Sequence, residues 1–431
     1  MEPQIATLLQ IAALLLAVIF GIFGFLRWRL QKRERNERGS EERFRRTLAR
    51  MKTDRASLQR AAARLLAKRR PQAQSAINSY LFALPGWIHE VPVALEKLTV
   101  KFSDSQEDPI PAPPKALLPR ALIPYESLSQ CIDKLARPKD FNDYPHYRLL
   151  AIEPFTLQFS NTKSSYFQKI NFGQYLEYSW VHKRVPLWLR RGGSTRLWRT
   201  ISQPEDYVVL AGVCTLTLLH DGKTLRFLMH QRGTHETAYA MGTFHVIPAG
   251  EFQPACEAPA SFDKDLKIWT NIMREYAEEI AGAQDYDGHS NVPFNYEQAP
   301  YIELERERQS GNIRLFYFGT GLDPISLQGE ILTVALFKQE TFHKIFPVIR
   351  TANREGKIDT DGNTWGLPFT DADCGSYMSS NTLASAQLLL TLALRNRSVF
   401  HECWTVLGFP RPPFGCPPVA HHIGGTHQLI S

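Results

Sequence analysis

The chain has 431 residues, 43% of them hydrophobic, and carries 50 Lys+Arg against 43 Asp+Glu for a formal net charge of +7. Its apolar content, with 26 Gly and 28 Pro, excludes a disordered, collagen-like or coiled-coil chain. The charge is unevenly placed: residues 27 to 70 hold 17 Lys+Arg and 5 Asp+Glu, whereas residues 71 to 431 hold 33 basic and 37 acidic side chains. A basic module beside a slightly acidic body argues against a protein that binds nucleic-acid duplexes.

Residues 5 to 26 come first, an uncharged run in which only Thr7 and Gln10 are clearly polar. As a helix the run spans about 33 Å, enough for a bilayer core of roughly 30 Å. It lacks the positive n-region and small-residue cleavage site of a secretory signal. Arg27, Trp28, Arg29, Lys32, Arg33 and Arg35 follow it. By the positive-inside rule, the expectation is a single-pass inner (cell) membrane protein with its C-terminal domain in the cytoplasm. Residues 383 to 394 (LASAQLLLTLAL) are too short to span and read as a buried helix.

Residues 27 to 70 form the basic juxtamembrane segment. Phe44, Leu48, Met51, Arg55, Leu58, Ala62 and Leu65 recur at alternating steps of four and three, a heptad seam with one Arg in it. Two readings stand: a short coiled coil that makes a homo-oligomer, or a helix lying on anionic membrane lipid. Residues 71 to 200 read as an N-terminal extension of mixed strands, with alternation at 147 to 152 and 155 to 159 and a Pro-rich break at 108 to 119. The six cysteines, at 131, 214, 256, 374, 403 and 416, show no CxxC spacing. They read as buried free thiols rather than disulfides, and a zinc site built from Cys403, Cys416, His421 and His422 fits no common finger.

Residues 207 to 219 and 224 to 231 are two β-type runs joined through Asp221-Gly222, a strong hairpin signal. A turn-rich loop around Pro248, Ala249 and Gly250 follows, and residues 265 to 280 (DLKIWTNIMREYAEEI) read as a helix. Its apolar arc is Leu266, Trp269, Ile272, Met273, Tyr276 and Ile280, and Glu275, Glu278 and Glu279 share the adjoining arc. Three crowded carboxylates repel one another, and a hard divalent cation such as Mg²⁺ is the usual compensation; the plain alternative is a solvated acidic face.

The order of these parts resembles the Nudix superfamily. Gly250 falls on the glycine of its box, Arg274-Glu275 on the Arg-Glu pair, Tyr276 on the apolar position and Glu278-Glu279 on the Glu pair. The resemblance covers roughly residues 205 to 350 and implies a Nudix-like α/β/α sandwich with a mixed sheet in a domain of residues 201 to 350. Residues 312 to 319 and 330 to 337 supply later strands, and residues 351 to 431 form a C-terminal helix and Pro-rich tail. It implies that Glu275, Glu278 and Glu279 hold Mg²⁺, with Glu278 and Glu279 catalytic if the protein is an enzyme, and that Arg274 stabilises the box. The sequence departs at Cys256, where the box has Glu, and between Glu257 and Arg274, where about nine residues are inserted. The resemblance makes Glu251 or Glu257 the substitute partner for Arg274, and Glu303, Glu305 and Glu307 candidates for a further carboxylate.

Arg226 and Arg232 on the hairpin are the phosphate-binding candidates, since guanidinium groups make bidentate contacts, with Gly250 beside them. His230, His235 and His245 flank the same region and read as structural, and residues 359 to 363 (DTDGN) read as a surface turn rather than a calcium loop. Two functions follow. One is a nucleotide-binding sensor, similar in layout to the transmembrane Nudix effectors of bacterial cyclic-oligonucleotide antiphage systems. The other is a membrane-tethered, Mg²⁺-dependent Nudix hydrolase of nucleoside diphosphate derivatives.

Overall fold

The computed structural model of the chain describes residues 2–69, 80–103, 125–136, 141–181, 210–233, 242–283, 290–348, 356–361 and 364–404. The Pro-rich break at 108 to 119, His235, Cys416, His421 and His422 lie outside them. Two helices open the chain, α1 (Glu2–Thr53) and α2 (Arg55–Arg69). Strands β1 (Ile88–Ala94) and β2 (Thr99–Ser103), helix α3 (Leu128–Leu135) and the hairpin β3 (Pro145–Glu153) and β4 (Thr156–Ser165) follow. Next is a helical segment made of α4 (Tyr166–Lys169), a π-helical stretch (Ile170–Gln174) and α5 (Tyr175–Val181).

The second half begins with β5 (Ala211–His220), β6 (Leu225–Phe227), β7 (Met229–Arg232), β8 (Phe244–Val246) and β9 (Ala249–Glu251). Helices α6 (Pro259–Asp265) and α7 (Ile268–Glu275) come next, the latter continued by a π-helical stretch (Tyr276–Ile280), and then α8 (Tyr301–Gln309). Strands β10 (Ile313–Leu322) and β11 (Gly329–Lys338), helix α9 (Gln339–Ile345) and strand β12 (Gly356–Ile358) precede the helices α10 (Asp371–Ser379), α11 (Ala384–Arg395) and α12 (Arg397–Glu402).

The main sheet runs β1-β10-β11-β5-β6, closed at the far edge by the Leu367–Pro368 strand, and β9 pairs with the other end of β5. β11 and β5 are parallel while the flanking pairs are antiparallel, so the protein is α/β with a mixed sheet. Side-chain alternation along the two central strands explains why both faces are covered. Val213, Leu219, Ile331, Ala335 and Phe337 point to one face, where Ile272, Met273 and Tyr276 of the α7 region meet them. Cys214, Leu216, Leu218, Leu332, Val334 and Leu336 point to the other, against Leu388, Leu389 and Leu392 of α11. The run at 383 to 394 is thus a buried helix, as its length requires.

The Asp221-Gly222 hairpin forms. Asp221 Oδ1 accepts from the backbone N–H of Lys223 and Thr224 at 2.8 and 2.6 Å, and Gly222 takes φ 95°, a value an L side chain resists. Its second run splits at Leu228: β6 stays on β5, and β7 leaves to join β8 and β12 in a separate three-stranded sheet. β1 comes from the N-terminal extension yet sits at the edge of the main sheet, and β2, β4 and β3 make a sheet of their own.

The N-terminal helices correct the sequence reading of a membrane span. No helix among the described residues is long and apolar enough to cross a membrane, which overturns the single-pass, inner-membrane assignment. In the heptad seam, Phe44 and Met51 pack inside the chain itself. Phe44 and Met51 are buried among Leu128, Ile132, Tyr178 and Val181, with the Phe44 and Tyr178 rings 5.6 Å apart. The Arg in the seam has a local reason: Arg55, fully buried, pairs with Glu177 and, at 3.2 Å, with Asp323. Burial opposes the Arg55 charge, but Glu177 and Asp323 outweigh it and raise its pKa. Gln59 donates to the same Asp323.

Candidate functional site

The segment from β9 to the end of the α7 helix brings two of the three expected glutamates onto one loop. Gly250 pairs with Val213 of β5, and a Cβ there would overlap the Glu275 carboxylate. Any side chain at this position would have to displace that carboxylate. The Ala249 N–H donates to Glu279 Oε2 at 3.3 Å. Glu275 and Glu279 are 8% and 2% exposed, so the acidic arc is no solvated face.

Glu278 is set apart. The helix widens into a π turn after Glu275, and Glu278 within it is only partly buried, unlike Glu275 and Glu279. There its charge reaches Tyr301 of α8, whose hydroxyl is raised to about 12, mostly by burial. The three carboxylates therefore do not form a set with ligand atoms all within 4.8 Å; among the described residues, the set that does is Cys214, His245 and Glu330.

Arg274 is fully buried, and its partner comes from the insertion. The extra residues form α6, whose last residue, Asp265, lies 3.3 Å from Arg274 Nη1 and is itself fully buried. Asp265 also accepts from the Ala255 N–H at 2.8 Å and the Tyr296 hydroxyl at 2.6 Å. Arg274 further donates to the Gln253 carbonyl at 2.5 Å and to the Tyr296 hydroxyl at 3.1 Å. The expected substitutes do other things: Glu257 is exposed, and Glu251 pairs with Lys169. Tyr276, on the apolar box position, keeps its hydroxyl satisfied inside the core through Thr217 at 2.6 Å, which in turn donates to the Ile247 carbonyl.

A polar cluster adjoins Gly250. Glu251 is hydrogen-bonded by Lys169 of α4 and by Gln328 Nε2 at 3.1 Å. Burial alone would raise its pKa, but Lys169 and then His146 overcome that and hold it low. His146 of β3 is 2% exposed; its Nδ1 faces the Tyr144 carbonyl at 2.9 Å, and its Nε2 is buried with no hydrogen-bond partner. Its ring stacks at 5.9 Å on Tyr166, the residue that Lys169 also approaches at 5.7 Å. The Arg232 charge acts on Tyr166, His230 and His245, and its own Nε is buried without a hydrogen-bond partner.

The remaining sequence candidates make contacts within the fold. Arg226 donates to the Trp365 and Gly366 carbonyls at 3.1 and 2.8 Å and pairs with Asp361, which fixes the sheet edge. Glu305 accepts from the Trp269 indole and pairs with Arg308, and Glu307 holds Asn312 and Lys344; Glu303 is partly exposed on the same helix. His230 is buried on β7, and burial pushes its pKa down to about 3. Asp359 accepts from the Tyr377 hydroxyl. Sequence reasoning missed Asp265, Lys169, His146 and Gln328. A carboxylate closing the inserted segment was a readable signal for Asp265, but the other three lie on distant elements and left none.

No protein-family model matches the chain, and no curated protein sequence matches it.

Proposed function

We propose that residues 201 to 350 form a Nudix-like domain that binds a phosphate-bearing nucleotide and does not hydrolyse it. The observation that carries this reading is the packing of Gly250 on Glu275, with Arg274 locked beneath by a substitute carboxylate. A Nudix-like loop and helix would pack in this way, and the three glutamates do not bring their ligand atoms together as in-line hydrolysis through a metal would require. The phosphate is received by Arg232, whose buried Nε has no hydrogen-bond partner, beside Tyr166 and the Lys169–Glu251 pair. A nucleotide offers both the anion for the guanidinium and a base for the aromatic ring.

The sensor reading is supported by the helical segment 166 to 181. Lys169 at its start enters the cluster beside Gly250, and Glu177 and Tyr178 further along grip Arg55 and Phe44 of the N-terminal helices. Ligand that competes for Lys169 thereby acts on the element that clamps α1 and α2. Calorimetric titration of the full chain with nucleoside diphosphate derivatives and cyclic oligonucleotides tests the binding claim. Arg232→Ala should weaken the best ligand at least roughly tenfold, in line with the ~1.5–3 kcal/mol of a charged hydrogen bond. Unchanged affinity in that variant would remove Arg232 from the site.

A further inference from the structure

On the opposite face of β5 from the α7 helix lies a second constellation that the nucleotide reading does not use. Cys214 of β5, His245 of β8 and Glu330 of β11 are 3%, 5% and 8% exposed. One ligand atom from each lies within 4.8 Å of the others, with Cys214 Sγ 2.8 Å from Glu330 Oε2 and 3.9 Å from His245 Nε2. Ser385, near the start of α11 and 3% exposed, places Oγ 3.4 Å from the same His245 Nε2. From this geometry we infer that Cys214, His245 and Glu330, closed by the Ser385 hydroxyl, form a binding site for a zinc-class divalent cation.

Four features support the assignment. A thiolate, an imidazole and a carboxylate are a donor set that zinc accepts, and hard cations such as Mg²⁺ decline the sulfur. Around a tetrahedral ion with bonds of about 2.0–2.3 Å, sulfur and its neighbours stand roughly 3.5 Å apart. The observed 2.8 and 3.9 Å bracket that spacing, so each is corrected by less than an ångström of side-chain movement. The imidazole is set for the role, since Nδ1 faces the Val246 carbonyl at 3.1 Å, a contact that as a donated N–H leaves the Nε2 lone pair turned into the cluster. Finally, one thiolate and one carboxylate neutralise a dication, so the loaded site carries no net charge into the core.

The ligands stand on three strands and a helix of the scaffold, so the ion acts as a structural cross-link. Cys214 is the register partner of Ala249, whose N–H holds Glu279, and the site is therefore the floor beneath the Gly250 loop. The proposal stands independently of the nucleotide reading. The cysteine spacing gave no hint of it, because the ligands come from four separate elements.

The test uses the full chain. Purified without chelator, it should contain stoichiometric zinc by inductively coupled plasma mass spectrometry. After stripping and titration with Co²⁺, it should show a thiolate-to-cobalt charge-transfer band. Cys214→Ser should abolish that band while Cys374→Ser, which removes a buried thiol elsewhere, keeps it. Glu330→Gln, which preserves side-chain volume, should weaken the metal beyond the roughly 10–100-fold cost of losing an outer hydrogen-bond partner. Should the serine variant fail to fold, the wild-type chain decides: the cobalt band should saturate at one equivalent per chain and be displaced by zinc. Wild-type protein that neither carries zinc nor gives the cobalt band, or a band that survives in Cys214→Ser, overturns the proposal.

Discussion

Arg274 and Asp265 are both fully buried, and neither has water to turn to if the other is lost. Breaking a buried pair from one side typically costs about 3–5 kcal/mol, so Asp265→Ala should lower stability by that order, read as a shift in the urea midpoint. A shift under about 1 kcal/mol would mean that Gln253 and Tyr296 suffice to hold the arginine. His146 carries a second residue-scale expectation. Burial, helped by the Lys169 charge and opposed by Glu251 and the Tyr144 carbonyl, holds its pKa below the usual 6.5. The native ring then binds fewer protons than the unfolded one, so its contribution is present above pH 6.5 and is lost as pH falls below it. Stability measured down through that window should decline less steeply in His146→Asn than in the wild type; parallel curves would contradict the assignment. At this scale Glu275, Glu279, Arg274 and Tyr276 were legible from their spacing. Their burial and the π turn after Glu275 were not, because no residue pattern announces such a turn.

Among the elements, the central strands and α11 could be read from alternation and length, and the hairpin from Asp221-Gly222. The helix at 265 to 280 was also legible, though the insertion reshaped its start into α6 followed by α7. The heptad seam shows the limit of such reading. Periodicity specifies that Phe44, Met51 and Ala62 share a buried face, but does not say whether a second copy, lipid or the chain's own α3 and α5 covers it. Arg55 was the clue: a cation in a seam needs a carboxylate, and Glu177 and Asp323 lie over a hundred residues away. Arg55→Ala would leave two buried carboxylates facing each other, which should release the N-terminal helices. Limited proteolysis should then cut within residues 40 to 69 at least roughly tenfold faster than in the wild type, the equivalent of 1.4 kcal/mol of local opening. An unchanged cleavage rate would mean that the apolar seam alone holds α1 and α2.

For the molecule as a whole, the mixed sheet carries the Gly250 loop and the α7 helix on one face and a closed polar cluster on the other. The helical segment 166 to 181 joins the first of these to the N-terminal helices through Lys169, Glu177 and Tyr178. Nothing in the linear charge pattern revealed that link. The +12 excess of residues 27 to 70 suggested an external anionic surface, yet its most constrained cation, Arg55, turns inward. The central claim is that this body binds a nucleotide and leaves it intact. The most direct measurement incubates the full chain with Mg²⁺ and a ligand that it binds, then follows occupancy by calorimetry and product by chromatography in the same sample. Saturable binding with the nucleotide recovered unchanged is the predicted result. Turnover that disappears in the Glu278→Gln, Glu279→Gln double variant, or the absence of binding to any nucleoside diphosphate derivative or cyclic oligonucleotide, would contradict it.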